Sequence, residues 1–281
     1  MSLLIDGKAI SAQIKEELKE EVQLLKDKGI CPCLAVIQVG EDPASCVYVN
    51  NKKKACAYIG IESLSYELPA EIAQNELLTI INELNENPKV NGILVQLPLP
   101  KHIDEDTIIQ AIAPEKDVDG FHPETVGHMC IGTQGFLPCT PAGVIQLIKR
   151  SGISIEGKEC VVVGRSNIVG KPMAMLLLRE NGTVTIAHSR TKDLKEVTKR
   201  ADILVAAIGK PKFFTKDYIK EGAVVIDVGI HRNENNKLCG DVDFDDVESH
   251  TSAITPVPGG VGPMTIAMLM NNCVETVRNK K

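Results

Sequence analysis

Three short clusters in the first half of the chain carry polar side chains that could move protons or hold a polar ligand. Tyr48 and Lys52 are four residues apart, a spacing that brings a phenol and an ammonium to one face of a helix. Gln96 lies near the end of a strand predicted over residues 92–97, so its amide should reach the carboxyl edge of a parallel sheet, where ligands of α/β proteins bind. The stretch 116–122, KDVDGFH, offers two carboxylates and an imidazole.

Each of these clusters also has an ordinary structural explanation. The first is consistent with a surface lysine that extends past a half-buried tyrosine. The second could be a strand-end amide, and the third a turn that is capped by an Asp side chain. Taken one at a time, the clusters leave both interpretations open.

A glycine-bracketed turn in the second half predicts a dinucleotide site. The apolar run Cys160–Val163 indicates a strand buried on both faces, and the turn 164–170, GRSNIVG, separates it from a helix predicted over 173–178. Glycines in such a turn let backbone N–H groups approach a pyrophosphate at the helix N-terminus. Ser166 occupies the middle glycine position of the usual G-x-G-x-x-G pattern, so an ordinary tight turn is the alternative.

The end of the next predicted strand, residues 183–187, favours NADP over NAD. NAD-binding units usually place an acidic residue there for the ribose 2′-hydroxyl, and this chain continues instead with His188, Ser189 and Arg190. Together with Arg165 in the glycine turn, these residues offer guanidinium and hydroxyl groups to a 2′-phosphate. Solvated surface arginines are the alternative interpretation.

Composition argues against several other functions. A net charge of −6 and the absence of Trp make nucleic acid an unexpected partner, and no apolar run approaches the length of about 18 residues that a membrane span requires. No signal sequence is recognisable at the N-terminus, so we expect a cytoplasmic protein. The nine cysteines include no C-x-x-C pair, which predicts reduced thiols and no metal site.

Helical and strand periods alternate along the whole chain, which predicts an α/β fold with parallel sheets and crossover helices. The region 114–141 is rich in Gly, Pro and His, and we expect loops there. The last predicted helix, 263–277, would leave the second half and pack on the first. The predicted strands and helices are a helix over 9–28, a strand over 34–39, a helix over 44–59, a strand over 63–68, a helix over 71–85, a strand over 92–97, a helix over 104–112, strands that begin at 160, 183, 203 and 224, and a hairpin through 238–242.

Six ordered blocks identify a family. They are residues 40–52, 95–100 (VQLPLP), 116–121 (KDVDGF), 138–141 (PCTP), 164–172 and 256–265 (PVPGGVGPMT). With these blocks in this order, the chain resembles, essentially from end to end, the bifunctional methylenetetrahydrofolate dehydrogenase/methenyltetrahydrofolate cyclohydrolase enzymes, the FolD family. The order of the blocks is far more specific than any single block, and it favours the functional interpretation of Tyr48, Lys52, Gln96 and Asp119.

The resemblance implies two α/β domains that flank a cleft: a folate-binding catalytic domain over 1–142 plus 265–281, and a Rossmann-like NADP-binding domain over 143–264. It further implies oxidation of 5,10-methylenetetrahydrofolate with NADP, hydrolysis of the methenyl product to 10-formyltetrahydrofolate, and a homodimer formed through the second domain. Two alternatives remain open from the sequence. One is a dehydrogenase without the hydrolase activity, and the other is a dinucleotide-binding module without turnover.

By the same resemblance, Lys52 would carry the protons, since a buried lysine beside a cationic ligand loses its proton more readily. Gln96 would orient Lys52, Tyr48 would contact the substrate, and Asp119 would bind the donor-rich edge of the pterin. The remaining implied substrate-binding residues are Val95, Leu97, Pro98, Pro258, Gly259 and Gly260. The implied coenzyme-binding residues are Thr140, Gly164, Arg165, Ser166, Ile168, Val169, His188, Ser189, Ile230, Gly262 and Thr265.

Overall fold

Apolar strand runs and the helices between them build two parallel sheets, as the alternating pattern predicts. The computed structural model describes residues 2–234 and 236–278. In chain order the elements are β1 (Leu3–Leu4), α1 (Gly7–Lys26), β2 (Cys33–Val39), α2 (Pro43–Ile59), β3 (Glu62–Leu68), α3 (Gln74–Glu86), β4 (Gly92–Val95), α4 (Glu105–Ala111), α5 (Pro123–Ile131), α6 (Cys139–Arg150), β5 (Glu159–Val163), α7 (Gly170–Arg179), β6 (Thr183–Ala187), α8 (Leu194–Thr198), β7 (Ile203–Ala206), β8 (Ala223–Asp227), β9 (His231–Arg232), β10 (Leu238–Cys239), α9 (Phe244–Val247), β11 (Thr251–Ile254) and α10 (Val261–Arg278).

The chain divides into two units. The first unit comprises residues 12–139 and the chain from 266 onward, and the second comprises the chain up to residue 11 and residues 140–265. None of the helices in the described residues is both long and apolar enough to cross a membrane.

The first unit is built on a three-stranded parallel sheet in the order β3, β2, β4. The central strand β2 is buried along its whole length, and Ile37 and Val95 pack with the α3 residues Leu77 and Ile81 in one apolar core. Burial on both faces explains why β2 appears in the sequence as an apolar run that only Gln38 interrupts.

Helix α2 follows β2 and is well defined at both ends. The Asp42 side chain caps its start by accepting a 2.8 Å hydrogen bond from the backbone N–H of Ser45, and Pro43 occupies the first turn, where no N–H is needed. Gly60 ends the helix with φ 96°. These signals fix the register of α2 and therefore the face on which Tyr48 and Lys52 lie.

The second unit contains a six-stranded, all-parallel sheet in the order β1, β11, β8, β7, β5, β6. Strand β5 pairs with β6 on one side and β7 on the other, so the chain order reverses direction at β5. In open α/β sheets, ligands bind beyond the carboxyl ends of the strands at such a point. The glycine turn 164–170 lies there, directly after β5.

Several features differ from the sequence-based expectations, which did not include α8 or the sheet strand β11. The first eleven residues belong to the second unit because Leu3 and Leu4 pair in parallel with β11, whereas the predicted domain boundaries placed them in the first. The expectation of loops across 114–141 misses α5, which spans Pro123–Ile131 and is capped by Gly132 with φ 78°. The predicted hairpin through 238–242 forms between β9 and β10 instead. The C-terminal helix does return to the first unit, as predicted.

Candidate active site

Lys52 and Gln96 form the centre of the polar cluster in the first unit. The Lys52 side chain is almost fully buried, and its Nζ donates a 2.9 Å hydrogen bond to Gln96 Oε1. Gln96 Nε2 in turn donates to the carbonyl oxygen of Leu97 at 2.6 Å, so the Gln96 oxygen faces the lysine. An ammonium has three donors, and within the described residues Gln96 is the only hydrogen-bond acceptor for Lys52. Its other donors are available to a ligand.

Tyr48 lies one helical turn before Lys52 on α2 and is half-buried. Burial raises the pKa of its phenol, which therefore stays protonated at neutral pH. In the part of the chain that the structure describes, no group forms a hydrogen bond with the Tyr48 hydroxyl. A neutral phenol beside a buried ammonium can both pack on a flat ligand and donate a hydrogen bond to it.

The two carboxylates of the stretch 116–122 have different environments. Asp117 is buried and accepts hydrogen bonds from the backbone N–H groups of Gly120 at 3.2 Å and His122 at 2.8 Å, which is the turn-capping role that its position suggested. Asp119 is partly accessible. Burial raises the pKa of its carboxyl and the charge of Asp117 adds to that rise, whereas the charge of Lys52 and a hydrogen bond from Cys139 oppose it. Asp119 is therefore the carboxylate of this pair that can meet a ligand.

The segment after β4 carries further predicted substrate residues. Leu97 is partly buried against the apolar core, and Pro98 is exposed and follows a cis peptide bond. Val95 points its side chain into the core and is 6% exposed, so its predicted substrate contact could only be made by its backbone.

The glycine turn of the second unit is shaped by close backbone contacts. Gly164 has φ 139°, and a Cβ there would collide with the carbonyl group of Ala207. A Cβ on Gly170 would lie 2.5 Å from the carbonyl carbon of Gly164. Ser166 Oγ accepts hydrogen bonds of 3.2 Å from the backbone N–H groups of Val169 and Gly170, so a side chain ties the turn to the start of α7. The bracketing glycines are therefore required by sterics.

Arg165 and Ile168 extend from this turn toward solvent, and Ser189 lies in the turn that follows β6. The two turns begin side by side because the Gly164 N–H donates to the Ala187 carbonyl oxygen at 2.9 Å. Among the described residues, the side chains of Arg165 and Ser189 have no hydrogen-bond or ion-pair partner. A guanidinium and a hydroxyl are thus available at adjacent strand ends.

His188 has a structural role in the turn after β6. Its Nδ1 accepts a 3.2 Å hydrogen bond from the backbone N–H of Arg190, and its backbone N–H donates to Thr191 Oγ1 at 2.8 Å. The Nδ1 atom is consequently unprotonated, and the remaining ring N–H is on Nε2. This arrangement closes the turn that presents Ser189.

Two more pairs of predicted coenzyme residues lie together in the second unit. Thr140 and Thr265 share a 2.9 Å hydrogen bond between their hydroxyls. A Cβ on Gly262 would contact the Ile230 side chain at 3.4 Å, and Ile230 is itself 42% exposed.

The loop 256–260 contains the predicted substrate residues Pro258, Gly259 and Gly260. Pro258 is exposed and follows a cis peptide bond, while Gly259 and Gly260 are buried. Gly259 has φ 111°, and its carbonyl oxygen accepts a 3.1 Å hydrogen bond from the Lys8 N–H. Together these contacts fix the backbone just before α10.

A buried carboxylate network at the carboxyl end of the second sheet was missed by the sequence analysis. Asp227 accepts three backbone N–H bonds, from Gly229, Asp241 and Val242, at 2.8 to 2.9 Å. Burial raises the pKa of Asp227 to about 6. The three hydrogen bonds lower this pKa, and the charge of the nearby Asp241 raises it. The sequence signal was an acid at the end of an apolar strand run.

Asp241 completes this network and holds the loop after β7. Its carboxylate accepts backbone N–H bonds from Ile208, Gly209 and Lys210 at 2.7 to 3.1 Å and lies 2.8 Å from His231 Nε2. Both carboxylates thus rigidify the loops beside Ile230.

Residues 5–119 match the family model of the tetrahydrofolate dehydrogenase/cyclohydrolase catalytic domain, and residues 138–281 match that of the NAD(P)-binding domain. The chain is 72% identical over 274 residues to a bifunctional protein FolD of Lachnoclostridium phytofermentans, a match that covers 98% of this chain and 97% of the relative.

Solved structures are similar over almost the whole chain. The bifunctional FolD methylenetetrahydrofolate dehydrogenase/cyclohydrolase of Campylobacter jejuni is 55% identical with a TM-score of 0.98, and the match covers 100% of both chains. The FolD enzyme of Trypanosoma brucei, solved in complex with NADP cofactor and an inhibitor, is 41% identical with a TM-score of 0.93, over 98% of this chain and 97% of that one.

Proposed function

We propose how the site works from the premise that this chain belongs to the tetrahydrofolate dehydrogenase/cyclohydrolase family. The protein is accordingly a bifunctional folate enzyme. It oxidises 5,10-methylenetetrahydrofolate to the 5,10-methenyl cation with NADP, and it hydrolyses that cation to 10-formyltetrahydrofolate. We assign the separate parts of this chemistry to the side chains described above.

Lys52 is the proton-transfer group in this proposal. Hydrolysis requires a proton to leave the attacking water and a proton to reach the ring nitrogen that is released. The observation that carries the assignment is a nearly buried lysine whose one protein acceptor among the described residues is the neutral Gln96 Oε1, at 2.9 Å. That acceptor fixes the direction of the lysine and leaves its other donor positions for substrate and water.

Asp119 and Tyr48 bind the reduced folate. The pterin edge presents several N–H donors, which a carboxylate can accept as parallel hydrogen bonds. Asp119 is partly exposed, whereas Asp117 is buried and committed to two backbone N–H groups, so Asp119 suits that role. Tyr48 packs against the ligand and offers a neutral hydroxyl one helical turn from Lys52.

The second unit fits an NADP molecule. When bound, NADP supplies the hydride acceptor. The turn 164–170 lets backbone approach the pyrophosphate, since a Cβ at Gly164 or Gly170 would fill that space. Arg165 and Ser189, which have no protein partner in the described residues, bind the 2′-phosphate. Thr140, Thr265, Ile230 and Gly262 line the remaining part of the coenzyme site.

The experiment that tests the proton assignment is the substitution Lys52→Met, with the two reactions followed separately. Coenzyme reduction and methenyl absorbance are recorded together with 5,10-methylenetetrahydrofolate and NADP. We expect hydrolysis to be lost while hydride transfer is retained in part, so that methenyl accumulates. Lys54→Met removes an exposed lysine from the same helix and is the matched control. Equal loss of both activities would contradict the assignment.

We also propose a homodimer formed through the second unit. Strand β6 is an edge strand of the six-stranded sheet, and Ile186 on it and Leu178 on α7 are 39% and 55% exposed. A second β6 can pair with such an edge. Ile186→Lys should shift sedimentation toward the monomer, whereas Ile131→Lys, on the first unit, should not.

A cytoplasmic location agrees with six cysteines that are buried as unpaired thiols.

A further inference from the structure

We propose that Asn272, on the C-terminal helix α10, is a positioning residue for the folate substrate. It holds the backbone on which Asp119 stands. The inference deepens the proposed function and rests on the folate-binding role of Asp119. Asn272 lies in the stretch that matches the NAD(P)-binding family model, so a role toward folate does not follow from that match.

The Asn272 amide bridges two segments of the first unit. It is 4% exposed, and Nδ2 donates hydrogen bonds of 2.9 Å to the carbonyl oxygens of Val118 and Leu137. Both amide hydrogens are therefore used on backbone. Val118 directly precedes Asp119, and Leu137 lies in the chain segment that leads into α6.

Cys139 supports the same carbonyl from a second direction. Its buried Sγ donates to Val118 O at 3.3 Å, and the Asn272 Nδ2 lies 3.7 Å from that sulfur. The Val118 oxygen thus has two side-chain donors, and the amide is the stronger of them.

The two residues that precede Val118 are anchored independently of α10. Lys116 Nζ donates to the carbonyl oxygens of Leu84, Asn85 and Asn87 at the end of α3. Asp117 closes its own turn. Asn272 and Cys139 therefore control the one backbone group between these anchors and Asp119.

The position of Asn272 on α10 argues against an incidental polar residue. The neighbouring residues Leu269, Met270, Cys273 and Val274 are fully buried and not charged. Burying an amide among such residues is unfavourable unless its hydrogen bonds are made. Here they are made to two carbonyls, one of which belongs to the loop of Asp119.

The test compares Asn272→Asp with Asn271→Asp in the full-length enzyme. Aspartate keeps the shape of asparagine but has no donor when ionised and only one when protonated, so at least one of the two carbonyls loses its hydrogen bond. Asn271 is the adjacent, partly exposed residue whose Oδ1 accepts from Arg278 at 3.2 Å, and an acid preserves that contact. We expect Asn272→Asp to raise the KM for 5,10-methylenetetrahydrofolate by about tenfold. The KM for NADP should stay within about twofold of the parent value in both variants.

A double-mutant cycle separates positioning from general stability. If Asn272 acts through Asp119, adding Asn272→Asp to Asp119→Asn should cause little further rise in the folate KM. A full additional rise, an unchanged folate KM or a parallel rise in both KM values would overturn the inference. An Asp119→Asn enzyme with an unchanged folate KM would instead refute the proposed role of Asp119.

If Asn272→Asp does not fold, Cys139→Ala provides the second test. It removes the weaker donor to Val118 O, and with it the hydrogen bond of the thiol to the Asp119 carboxylate, without introducing a charge. We expect a smaller rise, about threefold, in the folate KM and no change for NADP. An unchanged folate KM in a folded Cys139→Ala enzyme would then count against the inference.

Discussion

Lys52 Nζ donates to Gln96 Oε1 at 2.9 Å, and the Gln96 amide is itself oriented by the Leu97 carbonyl oxygen at 2.6 Å. The chain of contacts runs from a helix, through an amide at a strand end, to the backbone of the next segment. Because each group fixes the next, the direction of the lysine depends on where β4 ends.

Gln96→Met should impair hydrolysis more than hydride transfer. Methionine fills a similar volume but cannot accept the ammonium hydrogen bond, so Lys52 loses its orientation. We expect hydrolysis to fall by about tenfold or more, which is the order of one charge-assisted hydrogen bond. Methenyl consumption measured directly checks this, with Gln110→Met on the exposed face of α4 as the control. Unimpaired methenyl hydrolysis would show that Lys52 needs no orienting amide.

Arg165→Ala should narrow the preference for NADP over NAD. Loss of a charge-assisted contact to the 2′-phosphate should raise the KM for NADP by about tenfold or more and leave that for NAD nearly unchanged. Arg179→Ala removes the same charge from the far end of α7 and should leave the ratio as it is. A constant coenzyme ratio in Arg165→Ala would place the 2′-phosphate elsewhere.

Gly170→Ala should weaken coenzyme binding and stability together. The added methyl would lie 2.5 Å from the Gly164 carbonyl carbon and 2.6 Å from the Arg165 nitrogen, both of them backbone atoms that cannot easily move. Overpacking of this kind costs about 1–3 kcal/mol of unfolding free energy.

Gly127→Ala is the matched control for that change, since it lies inside α5 with open space around it. Alanine there should stabilise the protein by about 0.5–1 kcal/mol. Denaturant unfolding and titration with NADP check both variants, and tight NADP binding by Gly170→Ala would contradict the steric argument.

Asp227 should make the protein less stable as pH rises from about 4 to about 6. Burial raises its pKa from 3.8 to about 6, so the folded state retains the proton in this window while the unfolded state loses it. A rise of about two pH units corresponds to about 3 kcal/mol of unfolding free energy. This loss should be complete near pH 6 and should not grow further above it.

Asp227→Asn removes that pH dependence. The variant also loses an acceptor for backbone N–H groups, so the slope of unfolding free energy against pH is compared with that of the parent, and not the absolute stability. Asp202→Asn serves as the control. A hydrogen bond from Lys220 lowers the pKa of Asp202. This group therefore changes the unfolding free energy only below about pH 4, where stability is lost as the pH falls. Denaturant unfolding from pH 4 to 7 distinguishes them. The same slope in Asp227→Asn as in the parent would contradict the assignment.

The sequence by itself determined the local parts of this protein. Apolar runs specified the buried strands β2, β5 and β8, and cap residues specified the register of α2, which places Tyr48 and Lys52 on one face. The glycines at 164 and 170 marked a turn whose backbone tolerates no Cβ. These features could be predicted because periodicity, capping and backbone sterics act between residues that are close along the chain.

Only the tertiary structure decided how those parts are used. It separated Asp117, which closes a turn, from Asp119, which can meet a ligand, although both stand in the same six residues. It also paired β1 with β11, buried Asp241 among backbone N–H groups, and brought Asn272 to Val118, 154 residues away. Such contacts depend on packing between distant segments, and no local pattern encodes which carbonyl a buried amide will reach.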